Sequence, residues 1–127
     1  MPIVHFNKAT DPSTPDDVRV NTTAVRFVEA AHMEGAAQAS IHLLGQGTTA
    51  IPVTEPVEVV VAAVEGLVAA TRHYFAGQPG KGGSTVHIAP STVSYLRPNV
   101  PKDPAFWIVC FVDAFELRIV APLPAGL

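Results

Sequence analysis

The stretch VRVNTTAVRFVE, residues 18–29, and the stretch VHIAPSTVSYLR, residues 86–97, carry their large apolar residues at nearly the same positions. The correspondence extends without a gap over residues 18–53 and 86–121, at an offset of 68 residues. Nine of the 11 large apolar residues in the first window meet a large apolar residue in the second, against about five expected by chance. The nine are Val18, Val20, Val25, Phe27, Val28, Ile41, Leu43, Leu44 and Ile51, which align with Val86, Ile88, Val93, Tyr95, Leu96, Val109, Phe111, Val112 and Ile119. The sequence therefore predicts two pattern-related antiparallel β units.

Within each window, apolar and polar residues alternate, as expected of half-buried strands. Arg26 and Glu29 occupy the polar phase of one such strand. The segment Gly45-Gln46-Gly47 permits the positive φ values of a tight hairpin. Pro52 lacks an amide donor, so the return arm is predicted to be an edge strand or to end there. Strands are predicted around residues 3–6, 18–20, 25–29, 41–43, 51–53, 86–89, 92–97, 105–112 and 115–120.

A helix is predicted between the two windows. Thr54 is a suitable N-cap, and Pro56 is tolerated in the first turn. Seven apolar residues then fall on one helical stripe, namely Val57, Val60, Val61, Val64, Leu67, Val68 and Phe75. The pattern predicts one long helix over about residues 55–75 that packs on the sheet. The predicted fold class is α+β, mostly β.

The predicted organisation is a single domain over residues 1–127. Its sub-units are residues 1–76, with strands and the helix, and residues 85–127, with strands only, joined by a linker at 77–84. The segment 105–112 is apolar on both faces, which is typical of a strand covered on both sides. Because the second sub-unit has no helix, its cover must come from the long helix or from another subunit. We therefore expect a homo-oligomer.

Composition narrows the range of functions. Charged residues make up 15% of the chain, against roughly 25% in ordinary soluble domains, and apolar residues make up 48%. The net charge is −3 and the basic residues are scattered, which argues against nucleic acid as a partner. No membrane span and no signal peptide is predicted, so we expect a cytoplasmic protein, or one assembled in the cytoplasm into a particle.

Residues that often carry chemistry show no catalytic pattern here. Cys110 is the only cysteine and lies in an apolar run, so it is predicted to be a small buried hydrophobe. The five histidines lack the spacings that bring ligands to one metal, and His42 and His87 are expected to be solvated. The loop 77–85 lacks the glycine and lysine spacing of a phosphate-binding loop. We predict no catalytic residue, cofactor or metal, no enzyme activity and no small-molecule ligand.

Three segments resemble a known family. They are the run Val20–Glu29, the Gly45–Thr49 hairpin and the run Val53–Glu58, which together are similar to the small strand-hairpin-helix proteins of the flagellar FlbD/SwrD group. The resemblance covers about residues 18–60. It implies a compact sheet-plus-helix unit in a non-enzymatic, motility-associated protein, and it carries over no active site.

Taken together, these features predict a non-catalytic structural or interaction protein, a homo-oligomeric accessory component of a larger assembly. Capsid decoration or a connector in a phage-type virion is the leading hypothesis. The alternatives are a regulatory or motility-associated protein-binding module and a small His-based enzyme or metal protein. Trp107, Phe111 and Phe115 are the predicted packing and interface residues.

Overall fold

The alternating segments form antiparallel strands in a computed structural model that describes residues 3–8, 16–31, 37–73, 84–98 and 106–127. Among these residues there is one α-helix, α1 (Val57–Val64), and there are two short 3-10 turns, Thr22–Ala24 and Pro90–Thr92. The ten strands are β1 (Ile3–Lys8), β2 (Asp16–Asn21), β3 (Val25–Ala30), β4 (Ala39–Leu43), β5 (Ala50–Val53), β6 (Val68–Arg72), β7 (Ser84–Ile88), β8 (Val93–Pro98), β9 (Phe106–Phe111) and β10 (Glu116–Val120). The prediction of a mostly β fold is confirmed.

All ten strands belong to one sheet, in the order β2-β1-β5-β4-β3-β7-β6-β10-β9-β8. The first five strands of the chain therefore form one side of the sheet and the last five form the other side. The two sides meet where β3 pairs with β7. In this pair Phe27 lies opposite Ile88 and Glu29 opposite Val86. The amide of Ala89 also donates to the carbonyl of Arg26, at 2.8 Å. We call this central pairing of β3 with β7 the junction.

Each half of the chain contains a 3-10 turn that is followed directly by a strand. The 3-10 turn Thr22–Ala24 leads into β3, and the 3-10 turn Pro90–Thr92 leads into β8. Both β3 and β8 then have a register irregularity one residue in, at Val25/Phe27 and at Val93/Tyr95. The two turns use different residues: the Asn21 side chain caps the first, whereas a proline opens the second.

Most of the buried apolar side chains form two clusters. The first is centred on β1 to β5 and includes Val60 and Val64 of α1. The second is centred on β7, β9 and β10, but it also contains Phe27 of β3. Leu44 and the C-terminal residues Leu123 and Leu127 pack against it as well. Cover for the second cluster therefore comes from the first half and from the C-terminal segment, not from α1.

The predicted long helix is wrong. Helix α1 has eight residues, its N-cap is Pro56 rather than Thr54, and it ends at Glu65. Glu65 and Gly66 have φ values of 62° and 72°, in the left-handed region that stops a right-handed helix. The chain then enters β6, where Val68 lies opposite Ile88, so the backbone groups of residues 68–72 are paired with β7. Residues 74–75 of the predicted helix, and most of the predicted linker, lie outside the described residues.

Replacing Gly66 distinguishes the observed turn from the predicted helix. In a helix interior, Gly66→Ala would stabilise the protein by about 1 kcal/mol. At a φ of 72° it is expected instead to destabilise by about 1 kcal/mol, because an alanine Cβ strains left-handed backbone. Urea denaturation of the wild type and the variant measures the sign. Stabilisation would contradict the short helix.

Candidate functional site

Phe27 connects the two halves of the molecule. It projects from β3 of the first half and is fully buried in the second core cluster. Its ring stacks on His42, with ring centroids 4.1 Å apart. It also lies 6.0 Å from Phe111 and 6.1 Å from Phe115, at tilted angles that aromatic pairs favour. The junction is thus held by an aromatic cluster as well as by backbone pairing.

An ion pair lies beside this cluster. Arg26 is only 1% exposed, and its Nε donates to Oδ2 of Asp113 at 2.9 Å. Its Nη2 donates to the same oxygen, and its Nη1 donates to the carbonyl of Gly47 at 2.8 Å. The guanidinium carbon is 4.2 Å from the centroid of the Phe115 ring, a cation–π distance. Arg26 therefore links its own strand to a turn that lies 87 residues further along the chain.

The carboxylate of Asp113 is stabilised in its charged form. Burial alone would raise its pKa, but three groups that donate hydrogen bonds outweigh burial and lower the pKa from 3.8 to about 2. These donors are the Arg26 side chain and the backbone amides of Gly45 and Phe115. Asp113 is thus ionised over the whole physiological pH range.

A second buried polar group lies on the same strand. Glu29 is 2% exposed, and its Oε2 accepts from His42 Nε2 at 3.0 Å and from Nη1 of Arg72 on β6. The sequence pattern placed Arg26 and Glu29 on the polar phase of an alternating strand, but both side chains are buried, since β3 lies between β4 and β7 and is buried on both faces. Each of the two charges has an opposite charge from the second half as its partner.

The histidines occupy separate environments. His42 was expected to be solvated, but it is buried against Phe27 and Glu29, and its Nδ1 has no hydrogen-bond partner among the described residues. His87 is half-buried, and burial lowers its pKa. His5 pairs with Asp17, and His73 stacks on Phe106. His32 lies outside the described residues, and within them no group of three or more metal-binding side chains converges.

The three residues predicted to pack or form an interface lie in or against the second core cluster. Phe111 is buried, whereas Trp107 and Phe115 are partly buried against the cluster. The rings of Phe111 and Phe115 are 6.1 Å apart, beside Phe27. Trp107 lies on β9 opposite Ile119 of β10 and Pro98 of β8. Cys110 is buried, as predicted.

Sequence reasoning missed Arg26, Asp113 and the role of Phe27. Arg26 alternates with apolar neighbours, so local pattern assigned it to the polar phase of its strand. Nothing in the sequence pairs it with Asp113, because the two meet only after β3 and β7 come together. The one sequence feature that pointed to these contacts was the apolar run of β9, which indicated that other residues cover this strand on both faces.

The two outer strands of the sheet, β2 and β8, each pair with one neighbour among the described strands. Two exposed large apolar residues lie at β8. Tyr95, which belongs to β8, is 54% exposed, and Val112, which follows β9, is 60% exposed. The amide of Val112 donates to the carbonyl of Thr92, which places it at the start of β8. We define the β8 edge as Ser94 to Arg97 together with Val112. It combines a strand side that pairs with none of the described strands with exposed apolar side chains, the combination found at strand-addition sites.

Comparison of the chain with protein-family models, with curated proteins and with solved structures finds no match.

Within the described ranges, no helix is long and apolar enough to cross a membrane.

Removing the carboxylate of Asp113 tests the ion pair. Asp113→Ala leaves the charge of Arg26 buried without its partner and is expected to lower the free energy of unfolding by about 3 kcal/mol. Glu116→Ala is the control, because Glu116 pairs with Arg97 at an exposed site, where about 0.5 kcal/mol is expected. Chemical denaturation measures both values. Equal effects of the two substitutions would contradict a structural role for the Arg26–Asp113 pair.

The lowered pKa of Asp113 predicts that the stability of the protein depends on pH. Because folding lowers the pKa of Asp113 to about 2, its contribution to stability is present above its unfolded pKa of about 3.9 and is lost as the pH falls from about 4 to about 2. The wild type should therefore lose more stability between pH 5 and pH 2 than Asp113→Asn does. Thermal unfolding at several pH values measures the difference. Parallel curves for the two proteins would contradict the lowered pKa.

Proposed function

We propose that this chain is a non-catalytic structural protein that self-associates and serves as an accessory component of a larger assembly. The observation that carries the proposal is the β8 edge, where a strand with one neighbour among the described strands lies at the end of the sheet together with the half-exposed side chains of Tyr95 and Val112. Exposed strand edges with apolar neighbours favour pairing with another chain. The low content of charged residues, 15%, supports the same reading.

The proposal includes an internal duplication at an offset of 68 residues. It is supported by the spacing of β3 and β8, by their matching irregularities, and by two equivalent backbone bonds, Leu44 to Ala24 and Val112 to Thr92. The polar residues are not duplicated: Ser94 stands at the position of Arg26, and Cys110 at that of His42. A repeated frame with unlike polar groups supports a scaffold more than a shared chemistry.

Capsid decoration or a connector role in a phage-type virion is the setting we propose, by analogy of composition and self-association. The alternative is a motility-associated module like the FlbD/SwrD group, which would bind a different protein at the same edge. In that role Trp107, Phe111 and Phe115 contribute to the core packing around β9, and β9 pairs with β8. No observation on the described histidines favours a His-based enzyme or metal protein.

The mass in solution tests self-association. Light scattering after size-exclusion chromatography is expected to give a multiple of the 13.4 kDa chain mass. Tyr95→Glu places a charge on the β8 edge and is expected to shift the mass toward that of one chain. Val59→Glu is the matched control, because Val59 is a similarly exposed apolar residue on α1; it should leave the mass unchanged.

A wild-type mass of one chain at micromolar concentration would overturn self-association. The partner-binding alternative would then require a different protein that binds the wild type and not Tyr95→Glu. A multimer that Val59→Glu disrupts and Tyr95→Glu does not would overturn the assignment of the interface to the β8 edge.

A further inference from the structure

We propose that the β8 edge of one copy pairs in antiparallel fashion with strand β2 of a second copy, so that the sheet continues from chain to chain. The inference rests on the proposed self-association and specifies the surfaces, the partner and the register. Its template is the junction inside the molecule.

The junction already pairs the two kinds of strand that remain unpaired at the ends of the sheet. At the offset of 68 residues, β8 is the counterpart of β3, and β2 is the counterpart of β7. Inside one chain, β3 pairs with β7. At the ends, β8 and β2 each lack a second neighbour among the described strands. The outer edges are therefore complementary in the way that β3 and β7 are.

The side chains at the β8 edge match this role. Phe27 is fully buried at the junction, whereas its counterpart Tyr95 is 54% exposed. Leu44 packs against the second core cluster, whereas its counterpart Val112 is 60% exposed. Two apolar side chains that pack into the core near the junction thus have exposed counterparts at the β8 edge. A second copy placed on this edge would bury both of them.

Strand β2 has the features expected of the strand that pairs with the β8 edge. Val20 is buried in the first core cluster, just as its counterpart Ile88 is buried in the second. Arg19, the counterpart of His87, is exposed. Val4, which lies opposite Val20 on the neighbouring strand β1, packs against the same cluster. Val20 and Val4 therefore form an apolar face on the side of the sheet that an incoming Tyr95 would occupy.

The template fixes the register. The junction places Phe27 opposite Ile88, Val28 opposite His87 and Glu29 opposite Val86. Moving each residue to its counterpart places Tyr95 opposite Val20 of the second copy, Leu96 opposite Arg19 and Arg97 opposite Val18. Pro98 is the counterpart of Ala30, which lies beyond the three paired residues of β3, so its missing amide does not interrupt the pairing.

Pairing of unlike edges has a consequence for symmetry. A head-to-tail contact leaves one free β8 edge and one free β2 edge on every pair of chains. Addition then continues until the chains close into a ring, or it produces a filament. Both outcomes suit a component of a larger assembly.

The test is disulfide trapping between separately purified single-cysteine proteins in a Cys110→Ala background. Val18→Cys mixed with Arg97→Cys should form a cross-linked dimer under mild oxidation, because directly opposite residues bring their Cβ atoms within disulfide range. Arg19→Cys mixed with Leu96→Cys should also cross-link. The exchanged mixtures, Val18→Cys with Leu96→Cys and Arg19→Cys with Arg97→Cys, are the matched controls, since their side chains point to opposite faces. The matched mixtures should exceed the exchanged ones by about tenfold.

Several outcomes would overturn the proposal. Equal cross-linking in all four mixtures would exclude the register. Efficient cross-linking of Arg97→Cys with itself would show that two β8 edges meet instead. A multimeric mass without any cross-link would reject the β8–β2 contact but leave self-association intact, whereas a mass of one chain would reject both. The two matched mixtures use different residues, so the test survives the loss of any one variant.

Discussion

The insertion of Phe27 into the second core cluster is the interaction on which the rest of the structure depends. A strand of the first half supplies the central aromatic residue of the second half's interior, between His42, Phe111 and Phe115. Burying such a side chain contributes about 2–3 kcal/mol to the interior of the second half, which has no α-helix among its described residues. The two cores therefore form together, and the sheet is continuous across them.

The polar residues of β3 make this arrangement specific. Arg26 and Glu29 are both buried, and an unpaired buried charge costs several kcal/mol. Their partners, Asp113 and Arg72, come from the second half. A shift of β3 against β7 by one residue would separate both pairs and move the apolar side chains to the wrong face. The hydrophobic effect favours the junction, and the charges select its register.

The sequence predicts those parts of the fold that depend on residues close together in the chain, and it does not predict those that depend on distant residues. Strand positions and the hairpin glycines follow from local alternation and backbone freedom, and Gly45 and Gly47 do have positive φ. The helix was predicted correctly over residues 57–64, but residues 65–72 were misassigned because Leu67 and Val68 continue the apolar stripe of α1, and only the left-handed turn at Glu65–Gly66 and the pairing with β7 decide for β6. The burial of His42, Arg26 and Glu29 was missed for a related reason. The partners of Arg26 and Glu29, namely Asp113 and Arg72, lie far along the chain, and local pattern does not reveal them. Phe111 and Phe115 were identified by their aromatic content, but their partner Phe27 was assigned only to its own strand.

The continuity of the sheet across the junction is tested most directly by native-state hydrogen exchange. If the sheet is continuous, the amide of Ala89, which donates to Arg26 across the junction, exchanges only through global unfolding. Its opening free energy should then equal that of the core amides of Ile41 in the first half and Val109 in the second. An Ala89 amide that opens at a clearly lower free energy than both, or two halves with different opening free energies, would show that the two halves do not unfold as one unit.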